Sequence, residues 1–130
     1  MAIQKQLSVF LPNRPGVLAR ATSILSEASI NILVMAVHDT VDNAVVRFIV
    51  DHPTKALLLF EQEELYVLEQ DVVVVELDNT PGELTRMCQV LAEADINIAY
   101  AYCTAMPRQL CGCLVLRTDQ PERTFEILSR

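Results

Sequence analysis

Positive charge is scarce in this chain, and the scarcity excludes one large class of function. The 130 residues include ten Lys and Arg against seventeen Asp and Glu, a net charge of −7, with no tryptophan and only three glycines. A nucleic-acid-binding protein needs a basic surface that displaces counterions from phosphates, and ten scattered cations do not form one. An acidic surface instead favours neutral, zwitterionic or cationic partners.

Long apolar runs are also lacking. No stretch approaches the roughly 18 apolar residues of a membrane-spanning helix, and the first apolar run is broken at Ser8, too early for the core of a signal peptide. All four cysteines lie in the second half, which is not the disulfide framework of a whole secreted domain. These absences predict a cytoplasmic protein that does not contact membranes.

The sequence contains an internal repeat. The sequence NRPGVL from Asn13 recurs as NTPGEL from Asn79, and EASINI from Glu27 recurs as EADINI from Glu93. The differences, 79 minus 13 and 93 minus 27, are both 66. Because two separate motifs keep one offset, the chain is a duplication. We expect one repeat in residues 1–70 and a second in residues 71–130.

The apolar periodicity of each copy predicts the order strand, helix, strand, strand, helix. An Asn-x-Pro-Gly turn opens the first helix, because Pro suits the first helical turn and Asn suits a cap. Copy one continues into a fourth strand, Leu65–Gln70, whereas copy two lacks its own fourth strand. The expected fold class is α+β, with two ferredoxin-like βαββαβ repeats.

Only Asp71 separates the fourth strand of copy one from the first strand of copy two, too little for a hairpin. We therefore expect one long strand there, and we expect Ala2–Gln6 to fill the vacant edge of copy two. The two antiparallel sheets would join into one eight-stranded sheet with helices on one face.

Alternation along the second strand assigns its residues to two faces. Ile32, Val34 and Ala36 are expected beneath the helices, and Leu33, Met35 and Val37 on the other face. Because that second face is also apolar apart from Arg47 in the neighbouring strand, it requires a cover. We expect a homodimer or a larger assembly.

The duplicated turn is the best candidate site. Glycine lets a ligand approach the backbone closely, and the amide N–H groups that follow it suit a carboxylate. Carboxamides in the turn and early in the second strand both donate and accept hydrogen bonds. The candidate residues are Asn13, Pro15, Gly16, Val17, Leu18 and Asn31 in copy one, and Asn79, Pro81, Gly82, Glu83, Leu84 and Asn97 in copy two. The alternative is that these asparagines are ordinary caps and turn residues.

NRPGVL, about a dozen helical residues and then SINI, with NTPGEL and DINI as the second copy, resemble the ACT domain over essentially the whole chain. The resemblance implies a non-catalytic regulatory module, without a cofactor, that binds an amino acid or another small ligand, usually at an interface between paired domains. It implies ligand contacts from Asn13, Gly16 and Asn31, and from Asn79, Gly82 and Asn97.

The chain departs from the family pattern at two positions. Serine-binding members carry a His two residues before the turn asparagine, where this chain has Leu11 and Leu77, so we expect a less polar pocket and not one specific for serine. Glu83 replaces the apolar residue found as Val17, and its carboxylate would repel an acidic ligand or attract an amino group. Because no residues remain for a fused enzyme or DNA-binding domain, regulation is expected to act on a partner in trans.

Two other functions are considered. The chain could be a dimeric interaction module with degenerate pockets. Alternatively, Cys103, Cys111 and Cys113, expected on one face of a hairpin, could bind a soft metal or act as a redox switch, although free cysteines are often small buried hydrophobes. Neither a phosphate-binding glycine loop nor a nucleophile elbow is found, so we expect no catalytic or metal-binding residues.

Overall fold

The helices and strands follow one another as the duplication predicts. The computed structural model describes residues 2–130. The elements are β1 (Ala2–Pro12), α1 (Val17–Glu27), β2 (Ile32–Asp39), β3 (Asn43–Val50), α2 (Pro53–Gln62), β4 (Tyr66–Asp78), α3 (Glu83–Glu93), β5 (Ile98–Thr104), β6 (Cys111–Thr118) and α4 (Pro121–Leu128). The α+β fold class and the βαββαβ order are confirmed. Within this range, no helix has the length and apolarity needed to cross a membrane.

The chain divides into two compact units, each with its own core. One unit is Lys5–Gln70, and the other combines Asp71–Arg130 with the residues up to Gln4. The division falls inside β1 and inside β4. These two strands therefore contribute to both units.

The number of strands differs from the prediction. Residues 2–130 form six strands in the order β2-β3-β1-β4-β6-β5, so the single eight-stranded sheet is wrong. The one long strand predicted across Asp71 is confirmed, since β4 runs through it and has 13 residues. Similarly, Ala2–Gln6 is the beginning of β1, which has 11 residues, and not a separate strand. Six strands result because β1 and β4 each combine two of the eight predicted segments, and only the combination in β1 was not predicted.

The core of the unit Lys5–Gln70 lies between its two helices and one face of its strands. Phe48 of β3 and Phe60 of α2 are fully buried, and their rings stack with centroids 5.7 Å apart. Leu7 and Val9 of β1 and Leu25 of α1 complete the centre of this cluster. Burial of such apolar side chains contributes roughly 1.5–3 kcal/mol each, and it fixes α1 and the turn before it against β1.

The core of the second unit repeats this arrangement. Val75 of β4 and Leu114 of β6 pack with Met87 and Leu91 of α3. Ile3, from the beginning of β1, packs against the same cluster. The first residues of the chain thus supply apolar surface to the unit built from copy two.

A bulge in β2 changes which residues share a face. The register shifts between Ile32 and Val34, so that Met35 lies opposite Phe48 and Val34 lies opposite Ile49. Directly opposed residues share a face, and a bulge interchanges the faces of the residues beyond it. Met35 and Val37 are therefore on the face of the core, and Val34 and Ala36 on the other, so these four assignments from alternation were wrong. The strand is at a sheet edge, and several of its apolar side chains stay exposed, namely Leu33, Met35 and Val37.

Candidate functional site

The first Asn-x-Pro-Gly turn joins β1 to α1. Gly16 caps α1 in the left-handed region, with φ of 88° and ψ of −15°, a conformation that costs energy for any residue with a Cβ. The carbonyl of Gly16 accepts the N–H of Arg20 at 3.0 Å. A Cβ at this position would meet no atom within 4 Å. The turn therefore requires glycine for its backbone, and the space above the glycine is open.

Two backbone N–H groups in the first turn of α1 have no hydrogen-bond acceptor among residues 2–130. The N–H groups of Leu18 and Ala19 form no hydrogen bond with residues 2–130, because the start of a helix lacks the preceding carbonyls. No side chain caps α1, and its first turn carries no acidic residue. The alternative that Asn13 is an ordinary N-cap is wrong, since Gly16 occupies that position.

A surface depression of about 480 Å³ adjoins this turn. Its wall is mainly apolar and includes Leu11, Val17 and Leu65 together with Arg14 and Arg20, and the guanidinium of Arg20 is bound to Glu63. The surroundings combine open amides, positive charge and apolar surface. That combination suits a carboxylate attached to an apolar group.

The second turn has the same backbone but different hydrogen bonds. Gly82 has φ of 89° and also faces open space. The carboxamide of Asn79 donates through Nδ2 to the carbonyl of Gln109 at 3.0 Å. Asn79 is therefore held by the connection between β5 and β6, and here too glycine, not asparagine, is the cap.

Glu83 opens α3 where α1 has Val17. Its carboxylate accepts hydrogen bonds from the guanidinium of Arg86, one turn along the helix. This pairing lowers the pKa of Glu83 and raises the pKa of Arg86. The negative charge predicted to act on a ligand is thus already paired within α3.

The asparagine of the second strand lies away from the turn in each unit. Gly16 precedes α1 and Asn31 follows it, and a helix of 11 residues is about 16 Å long. Asn31 lines a different depression of about 590 Å³, together with Thr22, Ser26 and Ser29. The structure therefore does not bring Gly16 and Asn31 together on one small ligand within a unit.

Each strand asparagine is held by an aspartate that the sequence analysis missed. The N–H of Asn31 donates to Oδ1 of Asp51 at 3.0 Å, and the N–H of Asp51 donates to the carbonyl of Asn31 at 3.1 Å. Asn97 and Asp119 form the same pair of bonds at 3.1 and 3.2 Å. Among residues 2–130, these bonds use only the backbone of each asparagine, and both asparagines are exposed.

The whole of the sequence, residues 1–130, matches the family model described as the ACT domain pair. The chain belongs to this family. The crystal structure of protein BT0572 from Bacteroides thetaiotaomicron resembles this ACT pair with a TM-score of 0.89 at 29% identity, covering 98% of this chain and 87% of that one. No curated protein matches the sequence.

Other solved structures share the fold of the ACT pair. The ligand-free regulatory subunit of aspartate kinase from Thermus thermophilus has a TM-score of 0.75 at 18% identity, covering 98% of this chain and 92% of that one. The corresponding subunit from Thermus flavus has a TM-score of 0.71, also at 18% identity, covering 98% and 94%. At this identity the likeness shows the architecture alone.

The cysteines of the ACT pair do not share one face. Thr104 lies opposite Cys113, and Cys103 lies opposite Leu114, so Cys103 and Cys113 are on different faces and the predicted set of three thiols is wrong. Burial is the main cause that raises the pKa of both Cys111 and Cys113, which disfavours the reactive thiolate. In residues 2–130, no three side chains of the metal-ligating types come together.

Proposed function

We propose that this ACT pair is a non-catalytic regulatory protein that binds a free amino acid and signals its presence to a partner protein in trans. Membership of the family supports a regulatory role, since ACT domains are regulatory modules. The observation that carries the proposal is the open turn at Gly16, which lines a depression and precedes two N–H groups, those of Leu18 and Ala19, that have no partner within residues 2–130.

The chemistry of the first turn selects a class of amino acid. The positive end of the α1 dipole and the guanidinium of Arg14 both attract a carboxylate. Leu11, Val17 and Leu65 offer apolar surface for the side chain. We therefore expect valine, leucine, isoleucine or methionine to bind more tightly than serine or aspartate.

A complete site takes residues from two ACT units. Asn31 lies beyond the far end of α1, and we propose that it contacts the ligand held at the turn of another copy of the chain. The exposed apolar edge of β2, with Leu33, Met35 and Val37, supports such an association, because edge strands readily pair with other chains. A ligand that bridges two copies would bind the paired arrangement more tightly than the single chain and so would stabilise the pair. The shift toward the paired arrangement is the signal.

Thermal denaturation with each of the twenty L-amino acids tests the proposal. An amino acid at one hundred times its dissociation constant stabilises the folded chain by about 2.7 kcal/mol, and we expect this only for apolar amino acids. Asn13→Ala and Asn31→Ala should each abolish the rise in melting temperature, whereas Asn43→Ala, an exposed asparagine at the start of β3, should keep it. A melting temperature unchanged by all twenty would refute amino-acid binding.

A dimeric interaction module is the second candidate, and the same apolar edge of β2 favours it. Light scattering with and without amino acids separates the two functions. A sensor should change its assembly or its melting temperature with the ligand, whereas a module with degenerate pockets should form the same dimer at every amino-acid concentration.

A further inference from the structure

Asp51, at the end of β3, fixes the residue that precedes β2. Its Oδ1 accepts the N–H of Asn31 at 3.0 Å, and its own N–H donates to the carbonyl of Asn31 at 3.1 Å. Nδ1 of His52 lies 2.9 Å from the same Oδ1. Because a carboxylate oxygen has two lone pairs, this one atom can hold both the amide and the imidazole. We call Asn31, Asp51 and His52 the copy-one clasp.

The second copy has the same backbone bonds without an imidazole. Asn97 and Asp119 repeat both bonds, but Gln120 stands where copy one has His52. Each of these two residues is the N-cap of its helix and is followed by a proline. The carboxamide of Gln120 donates through Nε2 to the carbonyl of Asp95 at 3.5 Å. Only the copy-one clasp therefore contains a histidine, the side chain that ordinarily changes its charge between pH 5 and 8.

The charged groups around the imidazole are Asp51 and Lys55, which line a depression of about 510 Å³ beside it. The hydrogen bond from His52 is the main cause that lowers the pKa of Asp51 below its ordinary 3.8, so this carboxylate is ionised throughout pH 5 to 8. Lys55 donates through Nζ to the carbonyl of Ala28 at 3.1 Å, and a lysine ammonium keeps its charge over the same range. The side chain of His52 is 63% exposed, so protons of the solvent reach it directly.

We infer that the copy-one clasp is a proton-responsive switch, in which protonation of His52 strengthens the hold of Asp51 on Asn31. The imidazolium adds a charge-assisted hydrogen bond that keeps the carboxylate in place. A neutral imidazole carries a single proton, and when this proton is on Nε2, Nδ1 turns a lone pair toward the carboxylate and donates no bond. The clasp therefore loosens as the pH rises through the range in which histidine loses its proton. Because β2 is an edge strand, the switch acts at the edge of the sheet.

Amide hydrogen exchange measured by NMR at pH 5.5 and pH 7.5 tests the inference, with each rate divided by the intrinsic rate at that pH. Protection of the N–H of Asn31 should be about two- to fivefold greater at pH 5.5, as expected for an exposed ion pair. Protection of the N–H of Asn97 should be the same at both. His52→Gln gives copy one the residue of copy two and should abolish the difference. His38→Gln removes the other histidine, near the far end of β2, and should keep the difference.

Three results would overturn the inference: equal protection of Asn31 at the two pH values, an unchanged difference in His52→Gln, or the same difference at Asn97. Since glutamine is the N-cap of α4, it should also be accepted before α2, and circular dichroism verifies that both variants remain folded. No amino acid is added in this experiment, so its result does not depend on whether the chain binds one.

Discussion

Alanine substitution at the three glycines separates two physical reasons for glycine in this chain. Gly16 and Gly82 have φ of 88° and 89°, and a Cβ at either meets nothing within 4 Å. Gly112 in β6 differs, because a Cβ there would lie 2.3 Å from the carbonyl oxygen of Thr104 and 3.1 Å from the Cβ of Ala105. Replacing glycine by alanine thus tests the backbone conformation at Gly16 and Gly82 and the steric space at Gly112.

The structure sets the size of each effect. At Gly16 and Gly82 the left-handed conformation costs about 1–2 kcal/mol with a Cβ present, and the stiffer unfolded chain returns about 0.4–1 kcal/mol of this. The net loss in unfolding free energy should be about 1 kcal/mol at both. At Gly112 the obstructing atom belongs to the backbone of β5, so the strand itself must move, at about 2–3 kcal/mol.

Equilibrium unfolding in urea measures these losses, provided that the slope m is unchanged among the variants. Gly16→Ala and Gly82→Ala should agree with each other, and Gly112→Ala should be clearly less stable than both. If Gly112→Ala were as stable as Gly16→Ala, the end of β5 would not lie against β6 as described. A loss above roughly 3 kcal/mol at Gly16 would instead show that its methyl group meets other atoms.

Two further predictions concern titratable groups. A hydrogen bond from His52 lowers the pKa of Asp51, so the bond from the N–H of Asn31 to Asp51 should persist above the ordinary value of 3.8 and weaken as the pH falls through the lower pKa of the folded state. Amide hydrogen exchange of Asn31 measures this bond, and Asp51→Ala should speed the exchange whereas Asp51→Asn should preserve the protection. Equal exchange rates in both variants would contradict the prediction. Since burial raises the pKa of Cys113 above 9.0, iodoacetamide should alkylate Cys113 more slowly than the exposed Cys88 at pH 8, and equal rates by mass spectrometry would contradict this.

The order of elements and the position of both turns could be predicted because they depend on local chemistry. Pro15 and Gly16, with their counterparts at an offset of 66, mark the start of a helix whatever surrounds them. The number of strands could not be predicted in the same way. The long strand β4 follows from the single residue Asp71 between its halves, whereas nothing local shows that Ala2–Gln6 continues into the rest of β1.

The faces of the edge strands and the contacts of the two aspartates could not be predicted from the sequence, for related reasons. In β2 both faces are apolar, so a bulge leaves no trace in the alternation of residue types. Asp51 and Asp119 are 68 residues apart, not 66, because the copies diverge in length before their second helices. The hydrogen bond between each aspartate and its asparagine depends on the ends of two different strands, which sequence spacing does not bring together.

The division of β1 between the two units has a consequence for synthesis on the ribosome. The unit Lys5–Gln70 has all its residues once copy one has left the exit tunnel, and it can fold at that stage. Ile3 emerges even earlier, but the cluster that it packs against contains Leu114 and Leu116, which are translated much later. Ile3 therefore meets these partners only after copy two has been synthesised, and contacts between residues so distant in sequence form slowly.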